Sequence, residues 1–167
     1  MNKKGFTVVE VVIAFSILGV VLISLFEFVT FFRDKTRNEE IRTQLIDFKN
    51  TITKVIYDDI ISNKIVKIEY CDGIAKCVNL KDHDNEIHVL KVVEDPVIEE
   101  DKKKGLFLNY DETMYMLPDS DLRDTNGYMC SFDDFVLQSY NDEIYNLKIT
   151  FMHHSLNESF TINLTVN

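Results

Sequence analysis

Apolar residues run almost unbroken from Phe6 to Phe32, then thin to a helical stripe, and finally give way to short alternating segments. The first run is 27 residues long. As an α-helix it would extend about 40 Å, against about 30 Å for the hydrocarbon core of a bilayer. Its length and all-round apolarity exceed what a buried helix of a soluble domain needs, so a membrane-crossing helix is expected. Beyond it, Ile41, Leu45, Phe48, Ile52 and Val55 recur at spacings of four and three, and Ile56 and Ile60 widen the same face. Arg42, Asp47, Lys49 and Lys54 occupy the other faces. The pattern predicts one helix from about Thr7 to Ser62, with Asn63 as its stop.

Period-two patterning takes over after the helix. Strands are expected at Ile65–Tyr70, Val78–Leu80, Ile87–Val93, Leu106–Tyr110, Met114–Leu117, Phe135–Tyr140, Ile144–Met152 and Phe160–Val166. The last is the clearest, with Phe160, Ile162, Leu164 and Val166 alternating with Thr161, Asn163 and Thr165. Asp72-Gly73, Asp82 to Glu86, Asp111-Glu112 and Asn141-Asp142-Glu143 supply turns. Pro118 to Gly127 is the longest strand-free polar stretch and the expected contact surface. The fold class is therefore α+β, an antiparallel sheet laid on the apolar stripe of a long N-terminal helix.

Charge refines the N-terminal part of this picture. Lys3 and Lys4 precede the apolar run, which favours keeping that end in the cytoplasm. The run itself carries only Glu10 and Glu27. A secretory signal peptide fits poorly, because no small-residue cleavage motif follows the run. A carboxylate at position 10 is costly in lipid and calls for a positive partner. A cut between Gly5 and Phe6 would create an α-amine four residues before Glu10. The two could meet within one helix, or Glu10 could neutralise the amine of a neighbouring copy and set the axial register of packed helices.

The segment KGFTVVE at 4–10 closely resembles the leader and mature start of type IV pilins and pseudopilins. That resemblance implies cleavage by a prepilin peptidase after Gly5, N-methylation of Phe6, and an assembly role for Glu10. It implies a pilin-like lollipop divided into a leader (1–5), a transmembrane and assembly helix (6–32), an amphipathic continuation (33–62) and a β-rich globular domain (63–167). Gly19 falls where family members often carry a helix-softening glycine, whereas the proline that many carry in this run does not occur here. The expected partners are sibling pilins or pseudopilins through their N-terminal helices, the prepilin peptidase, an inner-membrane assembly platform and membrane lipid. The expected location is a single-pass membrane protein with an extracytoplasmic domain, passing into a pilus or pseudopilus of a pilus, secretion or competence system.

The rest of the composition mainly excludes. Two lysines and two glutamates fall in residues 1–32, so the whole net charge of −10 resides in 33–167. That argues against gripping nucleic acid, which needs clustered lysine and arginine. The one basic cluster, Lys102-Lys103-Lys104, follows Glu99-Glu100-Asp101 and reads as a solvated loop. Cys71 and Cys77 bracket a turn and could close a disulfide in an exported domain, although two reduced core cysteines fit the same pattern. Cys130 is then left over and expected to be buried. Asp82-His83-Asp84-Asn85-Glu86 and Asp119-Ser120-Asp121, with Asp124, offer oxygen donors without the EF-hand spacing, and turn chemistry accounts for them. His153 and His154 would point to opposite faces of a strand, a poor metal pair. No G-x-S-x-G, H-E-x-x-H or P-loop spacing occurs, so no enzyme, cofactor or metal is expected.

The functional expectation is a structural subunit of a type IV pilus or pseudopilus, and within that class a low-copy minor or tip component. The alternative is a binding module displayed on the membrane or a filament, such as an adhesin or a tip protein contacting DNA or cargo.

Overall fold

The computed structural model describes residues 7–62, 65–94, 105–118, 120, 129–141 and 143–166. Helix α1 spans Val8–Ser62 without interruption. The chain divides into two compact units, residues 1–40 and 41–167, with the division inside α1. In the second unit the expected stripe is the buried face of the helix: Leu45, Phe48, Ile52, Ile56 and Ile60 are buried. Ile41 and Val55 pack against the same core. After the last helical turn, the backbone N–H of Ile65 donates to the carbonyl of Ile60 at 3.2 Å and closes the C-terminal end. The predicted stop, Asn63, lies outside the described residues.

Among the described residues eight strands follow: β1 (Lys67–Tyr70), β2 (Cys77–Lys81), β3 (Ile87–Glu94), β4 (Leu106–Tyr110), β5 (Thr113–Met116), β6 (Cys130–Tyr140), β7 (Ile144–His153) and β8 (Glu158–Val166). They form two antiparallel meanders, a five-stranded sheet in the order β1-β2-β3-β4-β5 and a three-stranded sheet in the order β6-β7-β8. The α+β class with antiparallel pairing is as expected, and the strands divide between two sheets. β6 pairs with β7, and β5 forms the edge of the first sheet.

β6 also begins five residues earlier than its alternation indicates. The register slips between Phe132 and Asp134, a bulge that inserts one extra residue. Cys130 and Phe132 face inward before the slip; Phe135 and Leu137 do so after it. A strict two-residue period therefore misses the first half of the strand.

One core joins the helix stripe to both sheets, including Ile68, Leu80, Leu90 and Leu108 from the first and Phe132, Leu147, Phe151 and Ile162 from the second. Aromatic contacts knit its centre, with Phe48 edge-on to Phe151 at 5.6 Å and Phe151 stacked on Phe160 at 5.5 Å. Tyr70 ties the sheets together: its hydroxyl accepts from Leu137 N at 2.7 Å and donates to the carbonyl of Phe135 at 3.3 Å. Arg42 grips Glu158 with its guanidinium, tying the helix to β8, and this pairing holds the Glu158 carboxyl below its usual range.

Candidate functional site

Residues 8–32 of α1 form a cylinder of exposed apolar side chains. Eighteen large ones, from Val8 to Phe32, are between 42% and 80% exposed. Covering a side chain of this kind is worth about 1.5–3 kcal/mol. Covering all of these side chains would therefore exceed the 5–15 kcal/mol that typically holds a domain together. Such a surface is suited to lipid or to other apolar helices rather than to water. Among the described residues, α1 is the one helix long and apolar enough to cross a membrane.

The hydroxyl side chains of and just beyond the run bond back to their own helix. Ser16 Oγ donates to the carbonyl of Val12 at 2.9 Å, and Ser24 Oγ to Val20 at 3.0 Å. Thr30 Oγ1 bonds back to Phe26 at 3.0 Å and Thr36 Oγ1 to Phe32 at 2.9 Å. Back-bonding of this kind lets a hydroxyl sit in hydrocarbon without an orphaned donor.

The first turn is closed by a device that the charge-based reading of Glu10 overlooked. Thr7 Oγ1 accepts the backbone N–H of Glu10 at 3.3 Å. In return Glu10 Oε2 accepts the Thr7 backbone N–H at 2.8 Å and the Thr7 hydroxyl at 3.0 Å. This is a reciprocal capping box, a threonine followed three residues later by glutamate. The signal was present in the sequence as Thr7-Val8-Val9-Glu10 immediately before an apolar run. Glu10 thus has a partner within its own helix, and both of these contacts use Oε2. Gly5 and Phe6, the expected cleavage and methylation residues, lie outside the described residues, as do Lys3 and Lys4.

In the second unit, Cys71 and Cys77 form a disulfide, with Cα atoms 5.4 Å apart, across the tight turn that joins β1 to β2. Gly73 sits in that turn at φ +71°, a left-handed conformation that favours glycine. Cys130 is buried at the start of β6. His153 is buried and His154 exposed. Leu156 N donates to His153 Nδ1 at 3.2 Å, while His154 Nε2 meets Ser131 Oγ at 3.0 Å. The 82–86 loop is organised by Asp82, whose Oδ1 accepts Asp84 N at 2.9 Å and Glu86 N at 2.8 Å. Of the second acidic loop, Ser120 alone is described; Asp119, Asp121 and Asp124 are outside.

Sequence patterning gave no sign of a polar cluster at the C-terminal end of the helix. Tyr110 donates its hydroxyl to Asp59 of α1. Burial and the Asp59 carboxylate push that hydroxyl well above the ordinary tyrosine range. His88 lies beside Tyr110, and its Nδ1 is 2.7 Å from Asp111 Oδ2 and 3.8 Å from Asp59 Oδ2. Burial of the His88 ring opposes its charge, but the Asp111 hydrogen bond and the charges of Asp111, Asp59 and Asp82 outweigh it and raise its pKa. These residues come from four separate segments, so no local motif marks them.

Residues 1–26 match the family model of the prokaryotic N-terminal methylation motif. No curated protein matches the chain, and no solved structure does. The matched segment ends within the apolar run and contains both halves of the capping box. The chain therefore carries a type IV pilin-like prepilin leader ahead of a membrane-length helix, the arrangement of a membrane-anchored prepilin.

Proposed function

We propose that this chain is a low-copy structural subunit of a type IV pilus or pseudopilus, cut after Gly5, methylated on Phe6 and assembled through α1. The observation that carries the reading is the coincidence of the methylation motif at 1–26 with an apolar helical surface left uncovered over the same segment. A leader alone would indicate processing; the uncovered cylinder adds a surface that other helices can bury. The role is structural rather than enzymatic, and sibling pilins or pseudopilins are the partners that bury the cylinder, recruited from the membrane by the assembly platform.

The minor rank rests on the second unit. It carries the whole net charge of −10 on a compact β-rich scaffold, and like charges repeated along a filament would repel one another. Lys3 and Lys4 favour a cytoplasmic N-terminus before processing, which places residues 41–167 outside the cytoplasm.

Co-expression with a prepilin peptidase tests the processing. The wild-type chain should lose residues 1–5 and yield an N-methylated Phe6 by mass spectrometry, whereas Gly5→Val should retain the leader. Equal processing of Gly5→Val would refute the assignment. Quantitative proteomics of sheared filaments tests the rank: a copy number matching the most abundant pilin would refute the minor role.

A further inference from the structure

We propose that the open end of the β2–β3 hairpin holds one divalent cation of the zinc type, ligated by Asp82, Glu86 and the Nε2 atom of His88. A nitrogen of His88 and one carboxylate oxygen from each of Asp82 and Glu86 all lie within 4.8 Å of one another. Antiparallel register explains the convergence. Leu80 pairs with His88 and Lys81 with Ile87, so Asp82 and Glu86 follow as the next opposed pair. Alternation then puts Leu80, Asp82, Glu86 and His88 on one face of the hairpin, with Leu80 and Asp82 buried and Glu86 exposed at its open end.

Proximity of acids to a histidine is common, and two further observations raise this cluster above it. The first is the division of labour between the His88 nitrogens. Nδ1 is 2.7 Å from Asp111 Oδ2, and Asp111 is itself fixed by accepting Val89 N at 2.8 Å through Oδ1. A carboxylate only accepts, so Nδ1 is the donor, and Nε2 is the nitrogen left for Asp82 and Glu86. A metal-binding histidine characteristically donates its other ring N–H to a carboxylate, which sets the tautomer and aims the ring. The second is that Nε2 is buried and has no hydrogen-bond partner among the described residues. A buried ring nitrogen left in that state calls for a ligand.

The same histidine also sits in a second acidic group, with Asp59 and Asp111. That side is already closed by the 2.7 Å hydrogen bond, which is shorter than the roughly 3.3 Å that separates neighbouring ligands around a tetrahedral zinc ion. The Asp82–Glu86 side is the open one. One imidazole and two carboxylates suit zinc or a similar borderline cation, whereas calcium requires about six to eight oxygens. Three protein ligands leave the fourth tetrahedral position to water. Asp82 is held by two backbone N–H groups and is 8% exposed, while Glu86 is exposed and free to swing in.

The test uses the full chain in detergent micelles, stripped with a chelator and titrated with zinc, with cobalt as the optical reporter of coordination. One equivalent should bind. Glu86→Gln and His88→Gln should each weaken binding at least about tenfold, and Asp111→Asn by about 10- to 100-fold through loss of ring orientation. His83→Gln, an exposed residue of the same loop, should bind as the wild type does. Glu86 is exposed, so its variant remains informative if His88→Gln fails to fold. Nitrogen NMR of His88 should show Nε2 metallated and Nδ1 still protonated. No saturable zinc binding, binding indifferent to Glu86→Gln, or binding lost with His83→Gln would each overturn the site.

Discussion

Replacing Thr7 by alanine removes the threonine half of the capping box while leaving the Glu10 carboxylate in place. Two interactions go: the Glu10 N–H loses its acceptor at 3.3 Å, and Glu10 Oε2 loses the hydroxyl at 3.0 Å. The Thr7 N–H to Glu10 bond at 2.8 Å uses backbone and survives the change. Loss of a threonine N-cap costs about 1 kcal/mol, with a range of about 0.5–2. At about 1 kcal/mol, first-turn amides should exchange roughly fivefold faster with deuterium, read on the mature chain in micelles. Filament incorporation should stay near the wild-type level, because the charge at position 10 remains to pair with a neighbouring N-terminus. Glu10→Ala removes both functions, so it should speed exchange and also block incorporation. The two variants thereby separate a capping role from a register role. Incorporation lost equally in Thr7→Ala and Glu10→Ala would refute the register argument, since capping alone would then account for Glu10. Unchanged exchange in Thr7→Ala would refute the cap.

Further expectations concern the folded second unit. Ile52→Ala, at a position 1% exposed on the helix stripe, should destabilise by about 2–5 kcal/mol in chemical denaturation. Ser120→Ala should cost about 1–3 kcal/mol, because the buried Ser120 Oγ accepts Leu106 N at 3.0 Å and that donor would be orphaned. Replacing Cys71 and Cys77 by serine should lower stability by about 2 kcal/mol on the loop-entropy model, since the bridge closes only a short loop. Hydrogen bonds from Lys67 and Lys81 lower the Glu69 carboxyl from 4.5 to about 2. A depressed carboxyl contributes stability that is present above 4.5 and lost as pH falls from 4.5 through 2, so Glu69→Gln should flatten the melting temperature across that window. Because Glu69 is solvent-accessible, added salt should shrink the difference.

The two sheets show where local patterning succeeds and where it stops. β8 was legible because its four apolar residues alternate cleanly over a single buried face. The helix stripe was legible for the same reason at a longer period. Five residues of β6 were not, because the bulge after Phe132 reverses inside and outside within one strand. Nor was the split into two sheets, since pairing partners are chosen by the whole core and not by any one strand. The capping box was legible and passed over in favour of charge; the acidic 82–86 loop was legible as well, but nothing local joined it to His88, Asp59 and Asp111.

What the sequence by itself determined is everything carried by short-range periodicity: the membrane-length run, the stripe that follows it, the strand positions, and the leader spelled out between Lys4 and Glu10. These depend on which residues are neighbours along the chain, and helix or strand geometry then places their side chains. Only the tertiary structure decided what depends on neighbours in space. It brought Asp59, Asp82, Glu86 and Asp111 around a single histidine, though they are spread over more than fifty residues. The physical reason is that antiparallel register and helix docking fix such encounters, and both are settled by burying one shared core.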